Sequence, residues 1–229
     1  KLRLKPGDRF LDIGCGWGAL ICHAAEHHGV TAHGITLSNA QLDKARERAK
    51  ERGLDARVSV EIRDYAALEG TFDKIASVGM YEHIGLANIE TYFKTVRSVL
   101  APEGLFLNHA ISRRAPKIKF FKGRMRPEKK AIAKYIFPGG YIPMLDELVQ
   151  SAKEVGLHLS AEPFIHESFH YANTLRHWRQ RFNNGYPALD QSHYDQRFRR
   201  MWNFYLAGSE AAFDATGFFV AQVRVEKSV

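Results

Sequence analysis

Short apolar runs alternate with amphipathic stretches through the first half of the chain. The runs "RFLDIG", "VTAHGITL", "ARVSVEIRD", "FDKIASVGM" and "LFLNHAIS" have the length and apolar character of buried strands. Between these runs, the segments "GALICHAAEHHG", "SNAQLDKARERAKERG" and "NIETYFKTVRSVLAPEG" have helical spacing. Strands that alternate with helices form parallel sheets, so the pattern predicts a doubly wound α/β fold.

The pattern changes after residue 130. The stretch "YIFPGGYIPMLDELVQSAKEVGLHLSAEPF" predicts a loop, a helix and one further strand. The last 60 residues predict an aromatic-rich helical insertion at about 171–213, followed by a closing strand "GFFVAQVRVEK". We therefore expect a mostly parallel seven-stranded sheet with a helical insertion before the last strand. No Pro/Gly/Ser-rich linker divides the sequence, which favours a single domain over 1–229.

Composition limits the class of protein. With 229 residues and 45% hydrophobic content, the chain can bury a sizeable core. It has no 18-residue apolar run and no signal-peptide pattern, which predicts a cytoplasmic protein. The two cysteines, Cys15 and Cys22, are predicted to be buried, reduced thiols.

The positive charge is concentrated in one segment. The net charge is +8, and residues 113–130 alone carry nine Lys/Arg and one acid. Ile118, Phe120, Phe121 and Met125 are interleaved with these charges. A basic, aromatic segment suits an anionic lipid surface, which predicts peripheral association with the inner membrane face, and a solvated surface loop is the alternative. No nucleic-acid-reading motif accompanies the charge, so we expect no nucleic-acid partner.

A glycine-rich loop follows the first strand. In "LDIGCGWGAL", Gly14, Gly16 and Gly18 lie between a predicted strand and a predicted helix. Glycines allow a tight turn and expose the N–H groups of a helix N-terminus to a ligand. This loop serves dinucleotides and S-adenosylmethionine alike.

The second strand argues against a dinucleotide. A nicotinamide enzyme usually has an acid about twenty positions after the glycines, but here "GITLSNAQ" contains none. A different polar set lies at successive strand ends, namely Asp12, Thr36, Ser38, Gln41 and Asp64. For Asp64, a turn or capping role is the alternative.

Seven motifs in order resemble a known family: "LDIGCGWG", "GITLS..Q", "RDY", "FDKIASVGMYEHIG", "LFLNHAIS", "KYIFPGGYIP" and "FHYANTL". They are similar to motifs of the cyclopropane-fatty-acyl-phospholipid synthases and mycolic acid cyclopropane synthases, which are class I, Rossmann-like methyltransferases dependent on S-adenosylmethionine. The resemblance runs nearly the full length and is most specific in "SVGMYEHIG" and "YIFPGG".

The resemblance implies a cofactor site. Gly14, Gly16 and Gly18 would lie along the methionine moiety of S-adenosylmethionine. The positions near the ribose would be Thr36, Leu37 and Gln41, and those near the adenine would be Arg63 and Asp64.

It also implies a reaction: transfer of a methylene or methyl group to the double bond of an unsaturated acyl chain of a phospholipid. A carbocation would be deprotonated by a bound bicarbonate, held by Glu82, His109, Tyr171 and the main chain of Ile111. Taken alone, Glu82 could instead cap the next helix and His109 could be a core histidine. Two alternative functions stay open. The protein could methylate another small molecule, or it could be a catalytically silent module that binds the cofactor or a membrane.

The sequence departs from the family in two ways. The family's anion site also uses a cysteine from an N-terminal segment that precedes the glycine-loop strand, and this sequence begins just before that strand, so we expect a fragment or a lid supplied from elsewhere. The cysteine of the family's C-terminal helix is matched by Ser209, which argues against a covalent thiol step. Chain length, double-bond position, ring or branched product and oligomeric state stay open.

One metal motif is present in the sequence. "HESFH", from His166 to His170, matches H-E-x-x-H, but it follows a strand-like run and lacks a surrounding amphipathic helix. We expect no metal site there.

Reversing the charges across residues 113–130 tests the membrane interpretation. The variant should bind anionic vesicles more weakly than the wild type in low salt, because the attraction is electrostatic and is screened within a Debye length. Vesicle co-sedimentation measures this, and unchanged binding would favour the solvated-loop alternative.

Overall fold

The computed structural model describes residues 1–114, 132–215 and 217–227. Its strands are β1 (Arg9–Ile13), β2 (Thr31–Thr36), β3 (Val58–Ile62), β4 (Phe72–Val78), β5 (Leu100–Arg113), β6 (Leu157–Leu159), β7 (Phe164–His166) and β8 (Phe218–Lys227). Its main helices are α1 (Ala19–His28), α2 (Asn39–Glu51), α3 (Ile89–Val99), α4 (Leu145–Glu154), α5 (Ser168–Gly185) and α6 (Gln196–Ala215). Apart from its first two residues, the predicted basic segment 113–130 lies outside the described residues, so its membrane contact stays a prediction.

The sheet has the predicted doubly wound topology. The strand order is β3-β2-β1-β4-β5-β8-β6, and β7 also pairs with β8. Strands β1 to β5 pair in parallel, whereas β8 is antiparallel to its neighbours. The order reverses between β1 and β4, and this is the place where open α/β sheets bind ligands at the carboxyl ends of their strands.

Two details differ from the predicted strands. The single strand expected before the insertion is two short strands, β6 and β7, which pair with opposite ends of β8. β5 begins at Leu100 rather than Leu105, because Leu100 pairs with Phe72 before the register shifts to Lys74 and Leu105. The irregular pairing accommodates the Pro and Gly that had suggested a longer helix end.

The predicted helix ends are confirmed at two places. Ser38 is the N-cap of α2, and its hydroxyl accepts a hydrogen bond from the N–H of Gln41 (3.4 Å). α1 ends at Gly29, whose φ of 65° closes the helix in the left-handed conformation.

The core has a layer on each face of the sheet. Residues of α1 and α2 pack in one cluster with β1, β2 and β3. Residues of α3 and α4 pack in another with β1, β4, β5 and β8. Cys15 and Cys22 are buried free thiols in the first cluster, as predicted.

The insertion before β8 consists of α5 and α6. Ala172, Leu175, Leu206 and Phe213 are buried between these helices and β8. An ion cluster also joins the helices, since Glu210 of α6 is only 12% exposed and accepts hydrogen bonds from Arg176 (2.8 Å) and Arg179 (3.0 Å) of α5. Burial of Glu210 raises the pKa of its carboxyl, but the hydrogen bonds from the two arginines outweigh burial and lower it.

Glu210→Gln should lower the free energy of unfolding at pH 7 by about 1–3 kcal/mol, since charge-assisted hydrogen bonds to two arginines are lost. The carboxyl is more acidic when folded, so its contribution is present above the unfolded pKa of about 4.3 and is lost as the pH falls. Urea unfolding of both proteins from pH 7 to pH 3 measures the difference.

Glu90→Gln is the matched control, because the Glu90–Lys94 ion pair lies on an exposed helix surface. Its unfolding curve should follow the wild type. An equal loss of unfolding free energy in both variants would contradict the stabilising role assigned to Glu210.

Candidate active site

The site begins where β5 outruns β4. Val78, the last residue of β4, pairs with His109, and β5 continues for four more residues. The His109 carbonyl faces β4, since it accepts a hydrogen bond from the Gly79 N–H (2.8 Å). Backbone groups two residues apart on a strand point to the same side, so those of Ile111 face the space beyond the end of β4.

Glu82 fills this space. After β4 the chain turns at Gly79, whose φ of 65° is left-handed, into a short 3-10 turn at Tyr81–His83. The turn buries Glu82 to 9% exposure. The helix-cap alternative for Glu82 is not seen, since the N-cap position of α3 is Asn88 and the carboxyl faces the backbone N–H of Ile111.

The carboxyl of Glu82 is in an unusual electrostatic setting. Burial raises its pKa, and the backbone N–H groups of Glu82 and Ile111 partly offset that rise. Within the described residues its Oε2 atom is buried and accepts no hydrogen bond. A buried carboxyl oxygen with an unused lone pair is costly to keep, which marks it as a candidate functional group.

Tyr171 approaches the same carboxyl from the insertion. It lies in the first turn of α5, half-buried, with its ring 4.7 Å from that of Phe213. Burial raises the pKa of the Tyr171 hydroxyl, and the negative charge of Glu82 raises it further. The Tyr171 hydroxyl is thus within electrostatic range of the Glu82 carboxyl.

His109 is held from the other side by β8. Its Nδ1 is 2.9 Å from Nε2 of Gln222, the residue directly opposite in β8. With the amide donating, the proton of the neutral imidazole lies on Nε2. Burial, followed by the nearby His166 and Lys1, lowers the pKa of His109, which favours this neutral form.

Glu82 follows the end of β4, and His109 lies within the neighbouring strand β5, opposite Val78. No hydrogen bond or ion pair joins them in the part of the chain that the structure describes. Any chemistry that uses both must therefore run through a group placed between them.

The glycine loop packs against the Glu82 turn. Gly14, Gly16 and Gly18 all have positive φ, at 79°, 54° and 76°. A Cβ on Gly14 would lie 2.9 Å from Cγ of Met80, whereas one on Gly16 would meet nothing within 4 Å. The loop therefore touches the start of the Glu82 turn at one point and is open to a ligand at another.

The predicted ribose residues meet at the end of β2. Thr36 is 5% exposed, and its hydroxyl donates a hydrogen bond to Oε1 of Gln41 (2.7 Å). Leu37 is 73% exposed, so its side chain is free to form an apolar wall for a ligand.

The predicted adenine residues have local partners. Arg63 donates hydrogen bonds to Glu61 (2.6 Å) and to the carbonyl of Ala67 (2.9 Å). Asp64 has the turn role that was the alternative to adenine binding, because its Oδ1 accepts a hydrogen bond from the N–H of Ala66 (2.8 Å). Together these contacts fix the loop after β3.

Asp12 is the buried acid beneath the glycine loop. It is 3% exposed, and burial raises the pKa of its carboxyl to about 7. Its Oδ1 atom has no hydrogen-bond partner among the described residues. A cation at the loop would find a carboxylate ready to pair with it.

Three contacts within the candidate site were missed at the sequence level. Gln222 orients His109, Met80 contacts the glycine loop, and Tyr141 donates its N–H to the carbonyl of Glu82 (2.9 Å). Gln222 could have been noticed as a polar residue within the apolar run "FFVAQV". The other two depend on tertiary packing.

The zinc-type motif is divided between two elements. His166 ends β7, whereas His170 lies in the first turn of α5. Across residues 1–114, 132–215 and 217–227, no group of three or more His, Cys, Asp or Glu is arranged to hold a metal ion. The same ranges contain no helix that is long and apolar enough to cross a membrane.

The chain is similar to known proteins over nearly its whole length. Cyclopropane-fatty-acyl-phospholipid synthase of Escherichia coli K12 is 38% identical over 229 residues, which is 100% of this chain and 56% of that protein. The chain therefore spans about half the length of the curated relatives that it matches.

Solved structures show the same fold. The cyclopropane synthase MmaA2 from Mycobacterium tuberculosis superposes with a TM-score of 0.89 at 26% identity, covering 99% of this chain and 80% of that one. The mycolic acid cyclopropane synthase CmaA1, complexed with SAH and CTAB, gives a TM-score of 0.87 at 27% identity with the same coverages.

The family profile described as "Mycolic acid cyclopropane synthetase" matches residues 1–223. Since this match covers nearly the whole chain, the protein belongs to the mycolic acid cyclopropane synthetase family.

Proposed function

We propose that the protein transfers a methylene or methyl group from S-adenosylmethionine to the double bond of an unsaturated acyl chain of a phospholipid. The observation that carries the proposal is the buried carboxyl of Glu82, which lies against the Ile111 N–H, close to Tyr171, with one oxygen unpartnered. The name of the E. coli relative supports an acyl-phospholipid as the substrate.

The residues of the glycine loop suit this cofactor. S-adenosylmethionine supplies, when bound, a methyl group already activated on a cationic sulfonium. Asp12 offers a buried carboxyl with an unpartnered oxygen for a positive group, and Gly16 leaves room for close backbone approach. The end of β2 has no acid to bind ribose hydroxyls as nicotinamide enzymes do, and presents Thr36, Leu37 and Gln41 instead.

The acceptor imposes the second requirement. An isolated double bond that attacks a methyl group becomes a carbocation, and that cation must lose a proton before the product forms. The site must therefore hold a base beside the cation and keep water away. Glu82 is close to the place where this base is needed, since Met80 in the same turn contacts the glycine loop.

A bicarbonate between the strand ends meets this requirement. His109 Nε2–H and the Tyr171 hydroxyl are donors to its negative oxygens, and the Glu82 carboxylate, which faces the Ile111 N–H, accepts from its O–H. Held there, bicarbonate would supply the base for this proton, and Glu82 would take up the proton of its O–H in turn. The raised pKa of Glu82 suits this transfer, since a more basic carboxylate accepts a proton more readily.

Lipid mass spectrometry tests the function. Cells that express the full-length protein should contain unsaturated phospholipids whose acyl chains have gained one CH2 group. An unchanged lipid profile, together with methylation of another small molecule by the purified protein, would replace this proposal with the alternative methyltransferase. If titration calorimetry detects no binding of S-adenosylmethionine, the remaining interpretation is a catalytically silent module.

Glu82→Gln should lose turnover and keep the cofactor. An amide is not a base, so we expect turnover to fall by about a hundredfold or more, with the dissociation constant for S-adenosylmethionine within about twofold of the wild type. Product formation and calorimetry measure the two effects. Glu90→Gln, on an exposed ion pair, is the control, and equal turnover in Glu82→Gln would refute the assigned role.

Asp12→Asn should change how cofactor binding depends on pH. The pKa of Asp12 is about 7, so binding of a cation below pH 7 must first expel a proton. Wild-type affinity should therefore rise with pH up to about 7, at a limit of about tenfold per pH unit, and then level off. The Asn variant should bind more weakly and without this slope, and a slope that persists would show that another group is responsible.

A further inference from the structure

The loop 137–141, here called the FPGGY loop, lies against the Glu82 turn. Its first four residues form a β-turn in which the N–H of Gly140 donates to the carbonyl of Phe137 (3.1 Å). Pro138 in the second position and Gly139 in the third, with φ of 74°, are the residues that a type II turn requires.

The backbone of this loop fits closely against the Glu82 turn. The Tyr141 N–H donates to the carbonyl of Glu82 (2.9 Å), and a Cβ on Gly140 would lie 3.3 Å from the same oxygen. On the other side, a Cβ on Gly85 would lie 3.2 Å from the carbonyl oxygen of Gly139. Side chains at either glycine would push the two turns apart.

The Phe137 side chain bridges this contact to the insertion. Its ring is 5.1 Å from the ring of His83 in the Glu82 turn and 5.5 Å, edge to face, from the ring of Tyr205 in α6. Tyr205 and Tyr171 pack on the same small core between α5, α6 and β8. The Tyr205 hydroxyl also interacts electrostatically with Tyr171. Burial raises the pKa of Tyr205, and Tyr171 raises it further, to about 12.

We propose that Phe137 is a positioning residue that couples the Glu82 turn to the insertion helices and so sets the placement of Glu82 relative to Tyr171. The inference rests on the proposed function for its catalytic consequence, but the coupling itself is a property of the fold. Glu82 and Tyr171 come from distant elements, and a shift of about 1 Å between two such groups can cost up to about a hundredfold in rate.

The test compares Phe137→Ala with two other variants. Phe137→Leu restores most of the volume, and Phe198→Ala removes a half-buried ring whose contacts, to Phe182, Tyr194 and Trp202, stay within the insertion region. Amide hydrogen exchange, read by mass spectrometry on peptides that cover 79–86 and 168–182, reports the coupling without requiring activity.

Phe137→Ala should speed exchange in both peptides, on the order of tenfold. It should also lower kcat on the order of tenfold while KM for S-adenosylmethionine stays unchanged, because the glycine loop is not disturbed. Phe137→Leu should recover most of kcat, and Phe198→Ala should leave peptide 79–86 and kcat at wild-type values.

Two results would overturn the proposal: unchanged exchange at either 79–86 or 168–182 in Phe137→Ala, or an equal loss of kcat in Phe198→Ala. A wild type that forms no product while Phe137→Ala still alters exchange at 79–86 would refute the proposed function and leave the coupling intact.

Discussion

The candidate site depends on the fact that β5 extends beyond the end of its neighbour β4. β4 ends at Val78 while its neighbour β5 continues to Arg113, so the backbone of Ile111 faces the space beyond β4 rather than a ladder partner. Buried N–H groups need acceptors, and the carboxyl of Glu82 faces this one. The free N–H of Ile111 therefore favours burial of an acid beyond the end of β4, on the side of β5.

Other elements converge on that acid. The glycine loop reaches it through Met80, the FPGGY loop through the carbonyl of Glu82, and the insertion through Tyr171. His109 is positioned independently, by Gln222 across the β5–β8 ladder. The site thus combines two strands, two loops and an inserted helix pair, which explains why its geometry is sensitive to packing at positions that touch no substrate.

The sequence predicted the helices and strands better than the register in which the strands pair. Helix ends at Gly29 and Ser38 follow from local chemistry, and the parallel order of β1 to β5 follows from their alternation with helices. The early start of β5 at Leu100 was missed, since it depends on a bulge opposite Phe72. Local patterns predict conformation, whereas register depends on neighbours that are distant in sequence.

The candidate site was predictable to a similar extent. Motif resemblance assigned Glu82, His109 and Tyr171 to the site. In the fold, Glu82 follows β4, His109 lies within β5 and Tyr171 lies in the first turn of α5. The turn role of Asp64 was already the alternative interpretation, but the resemblance did not indicate that Gln222 fixes the imidazole of His109. This hydrogen bond joins residues 113 positions apart, and in the sequence Gln222 is visible just as a polar residue within the apolar run "FFVAQV".

The central claim is that Glu82 helps to bind an anion that serves as the base. Carbon-13 NMR of labelled bicarbonate, titrated into the intact protein, tests it directly. The account predicts saturable broadening of the bicarbonate signal that weakens when Tyr171 is replaced by Phe. Broadening that does not saturate, or that is indifferent to this change, would contradict the account.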